Sequence, residues 1–274
     1  MSAQSSPQSQ PRRVRIHHIA QAKAEGTPLT MLTAYDALTA PLLEEAGVDM
    51  LLVGDSLGNV VLGHSSTLNV TLEDMERATS AVAHSVRRPL VVADLPFGTY
   101  EASPEQAFES AARLMRAGAH AVKLEGGSPR VDAIRMLIEG GIPVVGHLGY
   151  TPQSDHLLGG PRIQGRGAQA ERLLADAHAL DQAGVFALVL EMVPDDIATR
   201  ITREVSTTTI GIGAGPHTDG QVLVWSDMAG MSSWVPSFVR RFGEVGAEIT
   251  NAARAYVDAV REGSFPAEGN YHAE

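Results

Sequence analysis

Cysteine is absent from the 274 residues of this chain, which removes disulfides, thiolate metal sites and cysteine nucleophiles together. That absence fits a reducing compartment, and the cytoplasm is the expected location. Positive charge is also scarce: 21 Lys and Arg against 32 Asp and Glu give a formal charge of −11. A nucleic-acid-binding surface needs clustered Lys and Arg on phosphates, so that class is set aside. The apolar runs are too short to span a bilayer, and the polar stretch MSAQSSPQSQP over 1–11 lacks a secretory h-region. No short-period repeat, internal linker or nucleotide-binding Gly-rich loop after the first strand pattern is present.

What remains is ordinary globular composition, 44% apolar and 19% charged, with enough length for one barrel of about 250 residues. Residues 1–11 read as a disordered leader, 12–262 as a single catalytic domain and 263–274 as a surface tail. Arg12, Arg13 and Arg15 form a small basic patch, expected as a solvated entry to the fold. Eight β-branched or aliphatic runs predict strands: 29–35, 50–54, 90–93, 121–124, 143–146, 187–190, 208–211 and 222–225. Helical patterns alternate with them at 37–46, 71–86, 104–117, 129–139, 168–183 and 194–205. Thr71 and Ser103 stand as N-caps, with acids or Pro104 in the first turn. Gly47, Gly118, Gly140–Gly141 and Gly184 stand where left-handed C-caps belong. Near-continuous apolar strands, each followed by a helix, predict an α/β fold with a parallel sheet. Eight units favour a closed (β/α)8 TIM barrel over an open doubly wound sheet.

In such a barrel, polar residues at strand C-termini build the active site. Here the apolar runs end successively in Asp55-Ser56, Asp94, Lys123 with Glu125, His147 and Glu191. Lys123 and Glu125 point to one side of an extended chain while Leu124 points to the other. Each residue has a plainer reading. Asp55 or Asp94 would cap the next helix, His147 would be a satisfied core histidine, and Glu191 a helix-start acid. Five consecutive strands delivering such groups to one rim are harder to ascribe to capping.

Asp55, Asp94 and Glu125 form an oxygen-rich donor set that suits a hard divalent cation, Mg²⁺ before Mn²⁺ or Ca²⁺ and all before Zn²⁺. A 2-oxo acid chelates such an ion through its carboxylate and keto oxygens, and the ion then stabilises an enolate. Lys123 adds positive charge where that oxygen would lie, or else simply pairs with a carboxylate. Glu191, from another strand, is a candidate base, although spacing does not separate base from ligand. The Gly211–Gly215 cluster reads either as a phosphate cradle or as a tight turn. The loop over 159–167 carries Arg162 and Arg166 as candidate anion contacts or as solvated side chains. His64, His17 and His18 show no ligand spacing.

Six blocks together resemble one family: Met-Leu-Thr-Ala-Tyr-Asp (31–36), Leu-Leu-Val-Gly-Asp-Ser (51–56), Val-Val-Ala-Asp-Leu-Pro-Phe-Gly (91–98), Ala-Val-Lys-Leu-Glu-Gly-Gly (121–127), Gly-His-Leu-Gly-Tyr-Thr-Pro-Gln-Ser (146–154) and Gly-Ile-Gly-Ala-Gly (211–215). In order and spacing they look like the ketopantoate hydroxymethyltransferases, from about Arg15 to Pro266. The resemblance implies a phosphoenolpyruvate/pyruvate-like barrel enzyme of pantothenate biosynthesis. It would transfer a hydroxymethyl group from 5,10-methylenetetrahydrofolate to 3-methyl-2-oxobutanoate, giving 2-dehydropantoate through a Mg-stabilised enolate. By motif, Asp55 and Asp94 hold one Mg²⁺ per subunit, with Glu125 in the same site directly or through water. Asp55, Ser56, Asp94, Lys123 and His147 contact the oxo acid, and Glu191 is the proton acceptor. The resemblance also implies a homo-oligomer, typically a decamer, acting on small molecules without nucleic acid or membrane. The competing enzyme reading is a metal-dependent lyase or mutase of the isocitrate lyase and phosphoenolpyruvate mutase type. Its isocitrate-lyase-like members use a Cys that this chain lacks. A non-catalytic barrel is the reading from another class.

Overall fold

The computed structural model describes residues 12–272. The expected leader over 1–11 and the last two residues of the expected tail lie outside them. Eight parallel strands close into a barrel in chain order, with the last pairing back to the first. They are β1 (Leu29–Thr33), β2 (Met50–Val53), β3 (Leu90–Asp94), β4 (Ala121–Glu125), β5 (Val144–Gly149), β6 (Ala187–Glu191), β7 (Thr208–Ile212) and β8 (Gly220–Leu223). Helix α1 (Ile16–Glu25) precedes β1, α2 (Ala40–Glu45) follows it, and α3 (Leu57–Val60) and α4 (Leu72–Ser85) follow β2. After β3 and β4 come α5 (Pro104–Arg116) and α6 (Val131–Glu139). After β5 and β6 come α7 (Asp155–Leu158), α8 (Gln169–Ala183) and α9 (Asp195–Glu204). The architecture is the expected (β/α)8 barrel.

The apolar runs are explained by burial on both faces: β2, β3 and β4 are buried at every position. Inside the barrel, Met31, Met50, Val92, Val145, Val189 and Ile210 join one apolar cluster. Helix α1, which the sequence pattern did not single out, drives Ile19 and Ala22 into that cluster. Complete burial of Ile19 alone is worth about 2 kcal/mol. Its Lys23 ammonium donates to Thr202 O (3.0 Å), Thr207 O (2.9 Å) and Asp219 Oδ2 (2.9 Å). These partners precede β7 and β8, so α1 plugs the N-terminal end of the barrel. Arg13 is correspondingly not a merely solvated residue. Its guanidinium lies 3.1 Å from His120 Nε2 and within 3.4 Å of Pro89 O.

Several boundaries shift for local reasons. Helix α2 starts at Ala40 rather than Ala37, because the Asp36 carboxylate accepts the backbone N–H groups of Leu38 and Thr39 in a turn, each at 2.8 Å. The last strand is Gly220–Leu223, not 222–225, and Trp225 already opens a short helix. Its register pairs Leu29 with Gly220, where a Cβ would stand 2.6 Å from Leu29 O. Only glycine lets the seam close there. No helix separates β7 from β8, and Gly213 and Gly215 take φ of 61° and 81°. The Gly211–Gly215 stretch therefore ends a strand and turns, without the helix start that a phosphate cradle uses.

The chain divides at Leu223/Val224 into two compact units, so the barrel ladder is complete before the second begins. Within that second unit, α10 (Trp225–Met228) leads to α11 (Val245–Arg261). Backbone bonds from Phe242 to Met228 and from Val245 to Ala229 fold the connection back. Among the described residues no helix is long and apolar enough to cross a membrane.

Helix punctuation follows the sequence. Thr71 and Asp74 exchange a reciprocal capping box, Ser103 accepts from Gln106 N, and Gly47, Gly118, Gly141 and Gly184 have positive φ. Thr71→Ala is expected to lower unfolding stability by about 1 kcal/mol. A urea titration should show a reduced midpoint at unchanged slope.

Candidate active site

Neighbouring strands deliver the polar side chains to one rim through the ladder itself. Asp94 pairs with Lys123, Glu125 with His147, and Gly149 with Glu191. The strands thus run through Asp94, Glu125, His147 and Glu191 instead of ending before them, which fixes these residues on regular backbone. Asp55 and Ser56 follow β2 on the turn into α3. The structure brings Asp55, Asp94, Lys123, Glu125, His147 and Glu191 together as one linked cluster. Ser56 stands beside it, its hydroxyl 2.9 Å from the Tyr35 hydroxyl.

The helix-cap and helix-start readings of the acids find no support in the caps, whereas His147 is buried among polar partners as a core histidine would be. Ser56 occupies the cap of α3 without a side-chain cap bond, and α9 is preceded by Pro194, not Glu191. Asp55, Asp94, Lys123, Glu125 and His147 are each no more than 5% exposed. Lys123 Nζ lies 3.1 Å from Asp94 Oδ1, 4.0 Å from Glu125 Oε1 and 3.3 Å from His147 Nδ1. His147 Nδ1 lies 3.3 Å from Glu125 Oε1, and Nε2 lies 3.2 Å from Glu191 Oε2. Glu191 is the more open of these carboxylates, its side chain 17% exposed. That suits a group which must meet a substrate.

One regularity organises the three inner carboxylates. Asp94 Oδ2 accepts the backbone N–H of Asp55 at 3.0 Å. Glu125 Oε2 accepts that of Gln153 at 3.0 Å, and Asp55 Oδ2 accepts the Gln153 side-chain amide at 2.9 Å. Each carboxylate has one oxygen held by an amide and leaves the other without an amide donor. Asp94 Oδ1, buried, lies beside Lys123 without meeting hydrogen-bond geometry. Tyr35, Tyr100 and Gln153 were not assigned roles from sequence. Gln153 lay inside a recognised block, but nothing in its spacing showed that it reaches Asp55 and Glu125.

The electrostatics follow from burial and crowding. Burial, then Asp94 and Glu125 beside it, push the Asp55 carboxyl up to about 8. Burial opposes charge on Glu125 as well, but His147, Lys123 and the Gln153 N–H outweigh it and hold that group below its ordinary value. Lys123 loses hydration too, yet Asp94, Glu125 and Asp55 more than compensate and raise its pKa. His147 is disfavoured as a cation by burial and by Lys123, but the Glu125 and Glu191 carboxylates close to its two ring nitrogens prevail, and it is pushed up to about 9.

The cluster sets four carboxyl groups, Asp55, Asp94, Glu125 and Glu191, around two basic groups, Lys123 and His147. Among the described residues no group of three or more His, Asp or Glu is placed to hold a metal ion. Mg²⁺ is commonly held by only one or two carboxylates, with water or substrate oxygens completing its shell. An all-oxygen donor set with one oxygen of each carboxylate left without an amide donor fits such an ion. Arg162 and Arg166 are exposed on the loop after α7 and stand outside the linked cluster. His64 joins none of these contacts, and His18 accepts the N–H of Arg15 at 2.9 Å beside α1.

The barrel has its counterparts among enzymes of known structure. A phosphonopyruvate hydrolase complexed with oxalate and Mg²⁺ superposes with a TM-score of 0.61 at 13% identity, over 93% of this chain and 92% of that one. A 2,3-dimethylmalate lyase of the PEP mutase/isocitrate lyase superfamily gives 0.60 at 17% identity, over 92% and 90%. The fold is therefore the one shared by that superfamily. Sequence narrows it further. Residues 13–268 match the family model of ketopantoate hydroxymethyltransferase. The chain is 55% identical over 259 residues to the 3-methyl-2-oxobutanoate hydroxymethyltransferase of Corynebacterium efficiens, covering 94% of this chain and 96% of the relative. With the enzyme of that name from Thermobifida fusca it shares 53% over 264 residues, 96% and 94% of the two chains. The chain belongs to the ketopantoate hydroxymethyltransferase family.

His147 is expected to carry both ring protons in the metal-free protein at pH 7 and to titrate with a midpoint of about 9. A histidine raised in the folded state adds stability that is full below its unfolded pKa of about 6.5. That contribution is lost as the pH rises through the folded value. Nitrogen-15 NMR of the imidazole checks this, and Glu191→Gln should move the midpoint down.

Proposed function

We propose that the chain transfers a hydroxymethyl group from 5,10-methylenetetrahydrofolate to 3-methyl-2-oxobutanoate, giving 2-dehydropantoate for pantothenate biosynthesis. The observation that carries this reading is the one-sided binding of the inner carboxylates around Lys123, with Glu191 as a more open carboxylate beside them. Asp55 and Asp94, with Glu125 directly or through water, would hold one Mg²⁺ per subunit. Bound there, the ion supplies Lewis-acid polarisation of the oxo acid's oxygens.

The chain's own residues supply the rest. Lys123, kept cationic by its carboxylates, places an N–H donor where negative charge grows on the C2 oxygen. Ser56, Asp94 and His147 bound the same space and orient the acid. Glu191 removes the C3 proton, and the C–H electron pair becomes the C2–C3 double bond of an enolate. His147, between Glu125 and Glu191, fixes the direction in which Glu191 presents its oxygens. The nucleophilic C3 then bonds to the methylene carbon of the folate in its iminium form, and the C=N π electrons return to nitrogen. Water replaces the remaining C–N bond, giving the hydroxyl of the product, while the released nitrogen takes up a proton to leave as tetrahydrofolate. The expected homodecamer and cytoplasmic location belong to the same reading.

The test is proton NMR of 3-methyl-2-oxobutanoate in D₂O with enzyme and Mg²⁺. The C3 proton signal should fade, the fading should stop with EDTA, and Glu191→Gln should slow it about 10²–10⁴-fold. Silence from a folded, metal-loaded protein, continued after tetrahydrofolate is added, would sink the assignment.

A further inference from the structure

Behind the carboxylates lies a second layer built from two loops. Tyr100, 2% exposed, and Gln153, 6% exposed, meet through a 2.5 Å bond from the Tyr100 hydroxyl to Gln153 Oε1. The hydroxyl oxygen accepts the backbone N–H of Glu125 at 3.2 Å, and its own proton is donated to the amide oxygen. With Oε1 so occupied, the Gln153 Nε2 end must face Asp55 Oδ2 at 2.9 Å and Leu95 O at 3.0 Å. Leu95 O is a backbone carbonyl and only accepts, which fixes the amide from that side too. The same residue's backbone N–H holds Glu125 Oε2. Tyr100 is itself seated against Arg130, whose guanidinium lies 5.9 Å from the ring centroid and donates to Glu101 O at 3.1 Å.

We infer that Tyr100 and Gln153 are positioning residues for the cation site, the tyrosine acting through the glutamine amide. The Tyr100 proton sets which end of the amide faces inward. The amide then occupies Asp55 Oδ2, so that Asp55 has a single oxygen, Oδ1, to offer. A Gln153 side chain flipped end for end would aim Oε1 at Asp55 Oδ2 and Leu95 O, setting acceptor against acceptor at both contacts. Such second-layer partners commonly govern ligand orientation and affinity at metal sites. The inference rests on the proposed carboxylate site, and the experiment separates the two.

Mn²⁺ binding to the full chain, followed by electron paramagnetic resonance of the free ion, is the readout, with thermal melts confirming folding. Gln153→Met, which keeps length and removes both amide ends, should weaken Mn²⁺ about 10-fold or more. Tyr100→Phe, which removes one oxygen atom, should weaken it by a smaller factor. The double variant should weaken Mn²⁺ by clearly less than the product of the two single factors, because without the amide the tyrosine keeps only its contact with the Glu125 N–H. Unchanged affinity in folded Gln153→Met, or independent factors that multiply in the double variant, overturns the inference while leaving the cation site standing. If Gln153→Met does not fold, unchanged affinity in Tyr100→Phe overturns it in the same way. Wild-type protein that takes up no Mn²⁺ removes the cation site itself, and the inference falls with it.

Discussion

A lysine ammonium buried to 4% exposure among three carboxylates is the constraint on which the rim of this barrel depends. An unpaired charge taken out of water costs several kcal/mol, and pairing offsets this only where geometry is good. Lys123 answers to Asp94 at 3.1 Å, and the carboxylates in turn need Lys123, since burial and mutual repulsion already push Asp55 up to about 8. Neither side of this arrangement is tolerable alone. The cluster is stable as a set and still holds more carboxyl groups than basic groups, which makes it receptive to a cation.

The parallel ladder makes such a cluster possible. Because Asp94 pairs with Lys123 and Glu125 with His147, the groups are placed by main-chain hydrogen bonds and not by loop conformation. Gly149 permits the last step: at φ 95° it takes a backbone angle that other residues resist, and a side chain there would run into Glu191 O. The position of the candidate base is thus set by the backbone of two strands. Barrels of 13% and 17% identity share the fold, and a shared fold does not by itself fix a shared chemistry.

Much of this was legible in the sequence because the signals are local. Apolar runs of period and length suited to buried strands located all eight, and the acids and cations at their ends are the ones that the structure gathers into one cluster. Lys123 and Glu125 read correctly as sharing a face because strand side chains alternate. Gln153 and Tyr100 were not legible as site residues, since their partners lie 98 and 25 residues away and depend on loop geometry that no periodicity encodes. Helix α1 was missed because its pattern, IHHIAQAKAE, looks weakly amphipathic until one sees that the barrel end it plugs needs only Ile19 and Ala22. The β8 boundary moved because the apolar run Val-Leu-Val-Trp (222–225) extends past the last residue that pairs with β1, and only that pairing decides where the strand begins and ends.

The Lys23 clamp carries a consequence for synthesis. Helix α1 leaves the ribosome well before its partners, since Lys23 finds its carbonyl and carboxylate contacts 179 to 196 residues later. Until β7 and β8 emerge, Ile19 and Ala22 have no complete floor to rest on, and β1 has one edge unpaired. Loop closure over such separations is slow to nucleate and is rewarded late. Nascent chains of this protein therefore spend most of their elongation with a sticky N-terminal helix and an open strand edge.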